Sequence, residues 1–130
     1  AVNDPGTAVG CVDHGLRLLV RAASRPEGPS GRADAQGRAR LWLRPQRFEE
    51  LLRLAFGQLR GVAKSDFSVS YRLAKAMATL AALSLSPDRR AALEQEVDDL
   101  AAACVGEGWT PGERRRFAAV LLRARQALAV

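Results

Sequence analysis

The sequence predicts a mainly α fold: a five-helix bundle around a central N-terminal helix, with one small β-hairpin between helices 1 and 2. Three observations carry this. Of the 130 residues 48% are hydrophobic but only 5% aromatic, and Ala and Leu dominate, which suits packed helices better than a β-sandwich. Apolar residues recur every three or four positions along most of the chain. Helix-start signals pairing Asn, Ser or Thr with a nearby Pro stand at Asn3-Asp4-Pro5, Ser86-Pro87 and Thr110-Pro111. The length suits a single helical domain over residues 1–130 with a real core.

Asn3-Asp4-Pro5 opens the first helix, because Asn or Asp caps the free N–H groups and Pro5 has none to lose. The helix is expected to run to about Ala23. At ~100° per residue, Val9, Val12, Leu16, Leu19, Val20 and Ala23 share one face, while Cys11 and Leu18 lie nearly opposite. Only Asp13, His14, Arg17 and Arg21 form a polar stripe. A helix apolar around most of its circumference is normally buried on several sides, so it is the expected centre of the bundle. Ser24 to Ala35, rich in Pro, Gly and Ser, reads as an exposed loop. Asp34-Ala35-Gln36-Gly37 has turn chemistry, and Ala39, Leu41 and Leu43 then alternate with Arg38, Arg40, Trp42 and Arg44. That period of two predicts the second arm of a hairpin over about residues 32–44, lying against the helices with Trp42 at the contact.

Pro45 is expected to open the second helix, with Phe48, Leu51, Leu52, Ala55, Leu59 and Val62 on its apolar face. Gly57 and Gly61, four apart, predict the close approach of a neighbour. Ser65-Asp66 caps a third helix with Val69, Leu73, Ala76, Leu80 and Leu83 on one stripe and Phe67 and Met77 as core filler. Ser86-Pro87-Asp88 starts a fourth, burying Leu93, Val97, Leu100 and Cys104 and ending at Gly106 and Gly108. Thr110-Pro111-Gly112-Glu113 has the form of a capping box. The last helix then buries Phe117, Val120, Leu121, Ala124 and Leu128.

The net charge of +6 is unevenly spread, with an acidic segment from Asp88 to Asp99 and an excess of Arg in the first sixty and last twenty residues. Basic and acidic helices are expected to complement each other within the bundle; a basic surface facing nucleic acid or anionic lipid is the alternative. Cys11 and Cys104 sit far apart and belong to no metal-ligand spacing. They read as free, buried thiols, with a disulfide open only if their helices pack side by side. The best uncharged stretch, Ala76 to Ser86, falls well short of the ~20 residues that span a bilayer. The chain starts without Met and inside a helix-start signal, so it is expected to be a fragment of something longer.

Three groups are candidate sites. Asn3, Asp4 and Thr7, with Pro5, could hold an anion or partner at a helix N-terminus, or simply cap it. Asp13 and Arg17 are spaced for an i,i+4 ion pair, and Asp13 adjoins His14, the one histidine. A carboxylate beside an imidazole has general-base chemistry, but with no second ligand at fixed spacing the sequence carries no catalytic signature, metal site or cofactor motif. Arg114-Arg115-Arg116 falls in the first turn of the last helix, where the macrodipole disfavours cations. The triplet is either a solvated face or a contact with anionic headgroups. No aromatic residues interleave with it, so nucleic-acid binding rests on net charge alone.

Asn3-Asp4-Pro5, Thr7-Ala8 and Cys11-Val12-Asp13 closely resemble the NDPxTA…CLD signature of a family of predicted bacterial membrane proteins catalogued as domain of unknown function 2254. Later pieces agree in order: the D-x-x-G turn ahead of Leu41-Trp42-Leu43, the run Phe48-Glu49-Glu50-Leu51 leading to Ala55-Phe56 and Gln58-Leu59-Arg60, then Val69, Arg72 and Leu73. The resemblance is expected to cover essentially the whole chain. It implies an integral membrane protein with several N-terminal transmembrane helices and, after them, a domain like this one on the cytoplasmic side. It brings no activity, substrate or cofactor. The expected role is an interaction or regulatory module, its expected partners the N-terminal transmembrane region of its own protein, a second copy or an anionic membrane surface.

Overall fold

A computed structural model describes residues 4–26, 30–43 and 47–130, leaving aside the side chains of residues 30–32 and 40–43. Among the described residues the order is α1 (Pro5–Ala23), β1 (Ser30–Ala33), β2 (Ala39–Leu43), α2 (Phe48–Ala63), α3 (Phe67–Ala81), α4 (Pro87–Ala103) and α5 (Pro111–Leu128). Four helices start where a short polar side chain can accept from an unpaired N–H. Asp4 accepts from the Gly6 N–H at 3.0 Å and Asp66 from Val69 at 3.1 Å. Ser86 caps α4, and Thr110 and Glu113 satisfy each other's backbone N–H in a full capping box. The helix α2 begins without a side-chain cap, at Phe48, with Glu49 and Glu50 in its first turn. Pro45, expected to open it, and Asn3 lie outside the described residues.

The centre of the bundle is α3, not the N-terminal helix. It packs against α1, α2, α4 and α5, whereas among the described residues the body of α1 packs on α2 and α3. The reason is side-chain size. Besides Val69, Leu73, Met77 and Leu80, α3 buries Ser70, Ala74, Ala76 and Ala81, and small residues around a helix let neighbours approach from several sides at once. By contrast α1 buries one narrow stripe, Ala8, Val12, Gly15 and Leu19, while Leu18 and Val20 stay exposed. Cys11 is exposed too, against the expectation of two buried thiols, while Cys104 is buried; both are free. The close helix–helix approach falls at Gly15, where an added Cβ would sit 3.2 Å from the Ala55 Cβ. Gly57 and Gly61 do not mediate one: a Cβ at Gly61 meets nothing within 4 Å, and at Gly57 only the end of Arg60, at 3.9 Å.

The expected packing of a hairpin against the helices is corrected as well. The mainly α fold is carried by the five helices. Between α1 and α2 runs an antiparallel two-stranded ribbon, with Ser30 opposite Leu43 and Ala33 opposite Ala39 and an irregularity after Arg32. It begins inside the stretch read as loop, and among the described residues each strand neighbours only the other. A ribbon of two strands packed on no helix adds no sheet layer to the core. Its turn is held by Asp34, whose carboxylate accepts from the N–H groups of Gln36 and Arg38, and by Gly37 at φ +77°. The side chain of Trp42 lies outside the description.

The core is otherwise close to the expected stripes. Leu93, Val97, Leu100 and Cys104 of the α4 segment are buried, as are Phe117, Val120, Leu121 and Ala124 of α5 and Met77 of α3. Acidic α4 is met by basic neighbours, as its charge pattern requires: Arg60 of α2 lies 2.7 Å from Asp99 and 3.1 Å from Glu96, and Arg125 of α5 lies 2.9 Å from Asp98.

Candidate functional site

At the start of α1 the motif residues bond to one another. Thr7 Oγ1 donates to Asp4 Oδ2 at 2.6 Å while the other carboxylate oxygen caps Gly6. These bonds hold the Asp4 carboxyl below its usual range, the Thr7 hydroxyl contributing most. Pro5 lines an open cleft of about 240 Å³ with Gly61 and Val62 at the end of α2 and Ser65, Asp66 and Val69 at the start of α3. Both carboxylates at this corner, Asp4 and Asp66, are spent on capping their own helices.

The polar stripe of α1 resolves differently from its sequence pairing. Asp13 takes a bidentate pair from Arg72 of α3, 2.6 Å to Nε and 2.7 Å to Nη2, rather than pairing with Arg17. The Arg72 hydrogen bonds lower the Asp13 carboxyl from its usual range, with the charges of Arg17 and Lys75 adding to the effect. With the side chains 31% and 43% exposed, water screens this pair and its net contribution is of order 1 kcal/mol or less. His14 is exposed, while Asp13 points at Arg72. The structure therefore does not join the two into a general-base site. No group of three or more His, Cys, Asp or Glu among the described residues is placed to hold a metal ion.

The arginine triplet separates into three environments. Arg114 folds back to donate to the Trp109 carbonyl at 2.9 Å, anchoring the connection from α4. Arg115 is exposed. Arg116 lies over the Phe67 ring, 5.0 Å from its centroid. Sequence reasoning singled out neither Lys75 nor Tyr71, took Phe67 for core filler where it is half-buried, and gave Arg72 only as a match to the family pattern. The signal available was the i,i+4 spacing of Phe67 and Tyr71, whose rings stack with centroids 5.3 Å apart.

A second open cleft, about 270 Å³, runs between α2 and α4 along Glu49, Arg53, Arg60, Glu96 and Asp99. Burial pushes the Glu96 carboxyl up from its usual range, Asp99 adding to the effect and Arg60 opposing it. The Arg60 hydrogen bond goes to Asp99 at 2.7 Å. The Glu96 Oε2 atom lies within ion-pair range of the same guanidinium but off the line of a hydrogen bond.

Residues 1–79 match the family described as predicted membrane protein, DUF2254. The chain belongs to this family. The match spans α1, the ribbon, α2 and α3 to Thr79, a shorter reach than the whole-chain resemblance expected from the motifs. No curated protein and no solved structure gave a match. Among the described residues no helix is long and apolar enough to cross a membrane.

Proposed function

We propose that this part of the DUF2254 protein is an interaction or regulatory module that docks through the outer flank of α1 and α2 onto the rest of its own membrane protein. The observation that carries the reading is the exposure of large apolar side chains on that helix pair. Leu18 is 52% and Leu54 67% exposed, and Cys11, two turns before Leu18 on the same side of α1 at ~100° per residue, is exposed with them. Neighbouring exposed apolar side chains on this helix pair support a contact surface there. Family membership supplies the membrane context.

Cys11 provides a native reporter and buried Cys104 an internal control. In membranes carrying the intact protein, Cys11 is expected to react with a maleimide at least tenfold more slowly than in the unfolded chain. Leu18→Lys is expected to restore fast labelling while Cys104 stays protected. Fast labelling of Cys11 in native membranes overturns the reading.

A further inference from the structure

We infer that the opposite side of α1, together with α3 and α5, forms a cationic face that docks on the anionic headgroups of a membrane. Two sets of contacts lie side by side on it. Arg116 of α5 lies over Phe67, Phe67 stacks on Tyr71, and the Lys75 ammonium lies 5.7 Å from the Tyr71 centroid. One position from Tyr71, Arg72 reaches across to Asp13 of α1, and the charges of Arg17 and Lys75 both act at that carboxylate. Three cations from two helices, Arg17, Arg72 and Lys75, thus act at one carboxylate, which Arg72 already neutralises, and Arg116 of α5 joins them through the Phe67–Tyr71 stack. Arg17, Lys75 and Arg116 are exposed, and Arg72 is partly so.

Charge and stacking select the occupant. A surface with this excess of positive charge attracts phosphate-bearing surfaces. Single-stranded nucleic acid would need open ring faces on which bases stack, and these rings are engaged: Phe67 carries both Tyr71 and Arg116, and Tyr71 carries both Phe67 and Lys75. Headgroup phosphates need only the charges, and a family of predicted membrane proteins supplies a bilayer for them to meet. The inference rests on the proposed membrane-protein module but uses another surface: at ~100° per residue, Asp13 and Arg17 lie roughly 100–160° around α1 from Cys11 and Leu18.

The test is co-sedimentation of the 130-residue chain with vesicles of phosphatidylcholine alone and of phosphatidylcholine with one-third phosphatidylglycerol. Binding is expected only to the anionic vesicles, weakening as salt is raised. Each removed charge should lower it about fivefold, so Arg17→Gln/Lys75→Gln/Arg116→Gln should bind on the order of a hundredfold more weakly with an unchanged helical circular-dichroism spectrum. Arg53→Gln, on the side facing α4, should bind as the unsubstituted chain does. No binding to anionic vesicles, or an equal loss in Arg53→Gln, overturns the inference. Tighter binding to an oligouridylate than to vesicles, abolished by the same triple variant, also overturns it and gives the face to RNA. Cys11 labelling reads the other flank, so the two proposals fail separately.

Discussion

Arg89 ties the start of α4 to the end of α1, and removing it tests the fold where the family match has already ended. Its guanidinium is buried, donates from Nη1 to the Ala23 carbonyl and from Nη2 to the Arg25 carbonyl, both at 2.9 Å, and lies over the Phe48 ring at 5.5 Å from the centroid. It therefore places a cation on the unpaired carbonyls at a helix C-terminus. A hydrogen bond to a charged group contributes about 1.5–3 kcal/mol, and a cation over an aromatic ring about 0.5–1 kcal/mol or more. Ala23 is half-buried and Arg25 exposed, so water can take up the released carbonyls and the lower ends apply. Arg89→Ala is expected to cost about 2–4 kcal/mol, which for a chain of this length lowers Tm by roughly 10 °C. Urea unfolding followed by circular dichroism should show the midpoint falling with the slope unchanged. Arg89→Lys should recover less than half of the loss, since one ammonium does not reproduce the fork. A loss under about 0.5 kcal/mol for Arg89→Ala, or full recovery by Arg89→Lys, would refute the reasoning.

Gly61→Ala should stabilise the chain by up to about 1 kcal/mol, because it removes a helical glycine where a Cβ meets nothing. Gly15→Ala, whose Cβ would meet Ala55 at 3.2 Å, should gain less or lose, so equal gains in thermal unfolding would contradict the packing described. Glu96 sets a pH dependence of definite sign. Its folded-state value is raised above 4.5 by burial, so its favourable contribution is complete below about pH 4.5 and is lost as pH rises through the raised value. Glu96→Gln should therefore match or exceed the unsubstituted chain at pH 7, with the difference closing on acidification; a Gln variant clearly less stable at pH 7 would sink this. Asp13 and Asp99 are held below 3.8, so what they contribute is present above that pH and is lost as pH falls through their lowered values.

What the sequence disclosed was local. The caps at Asp4, Asp66, Ser86 and Thr110 and the stripes of α4 and α5 depend on residues within two turns of each other, and they stand where the spacing put them. What it hid was pairing over distance. Asp13 had a partner at i+4 by spacing, yet Arg72, fifty-nine residues on, offers a fork that meets both carboxylate oxygens. The central helix was misplaced for a related reason. Counting apolar residues around α1 weights Leu18 and Val20 as heavily as Val12 and Leu19, while the alanines of α3 score low although their smallness is what admits four neighbours. Helical glycines are indistinguishable by sequence: Gly61 faces open space and Gly15 a neighbour. The arginine triplet reads as one patch, but the loop through Gly106, at φ +74°, and Trp109 draws Arg114 away from it.

The end of the family match at residue 79 divides the contacts in a useful way. The matched stretch contains α1, α2 and nearly all of α3, yet α3 buries its sides also against α4 and α5, and Arg60 and the end of α1 find their partners on α4. Residues 80–130 are thus part of the same core even though they lie beyond the match. The two proposed surfaces draw on the division unequally. Cys11, Leu18 and Leu54 all belong to the matched stretch, whereas the cationic face takes Arg17, Arg72 and Lys75 from it and Arg116 from outside. If docking through the α1–α2 flank is the work of the family, its determinants are complete within residues 1–79. The headgroup face needs α5 to finish it, so Arg116→Gln separates a property of the matched segment from one this chain adds. Vesicle binding that survives Arg116→Gln but not Arg17→Gln/Lys75→Gln assigns the charge requirement to the matched segment alone.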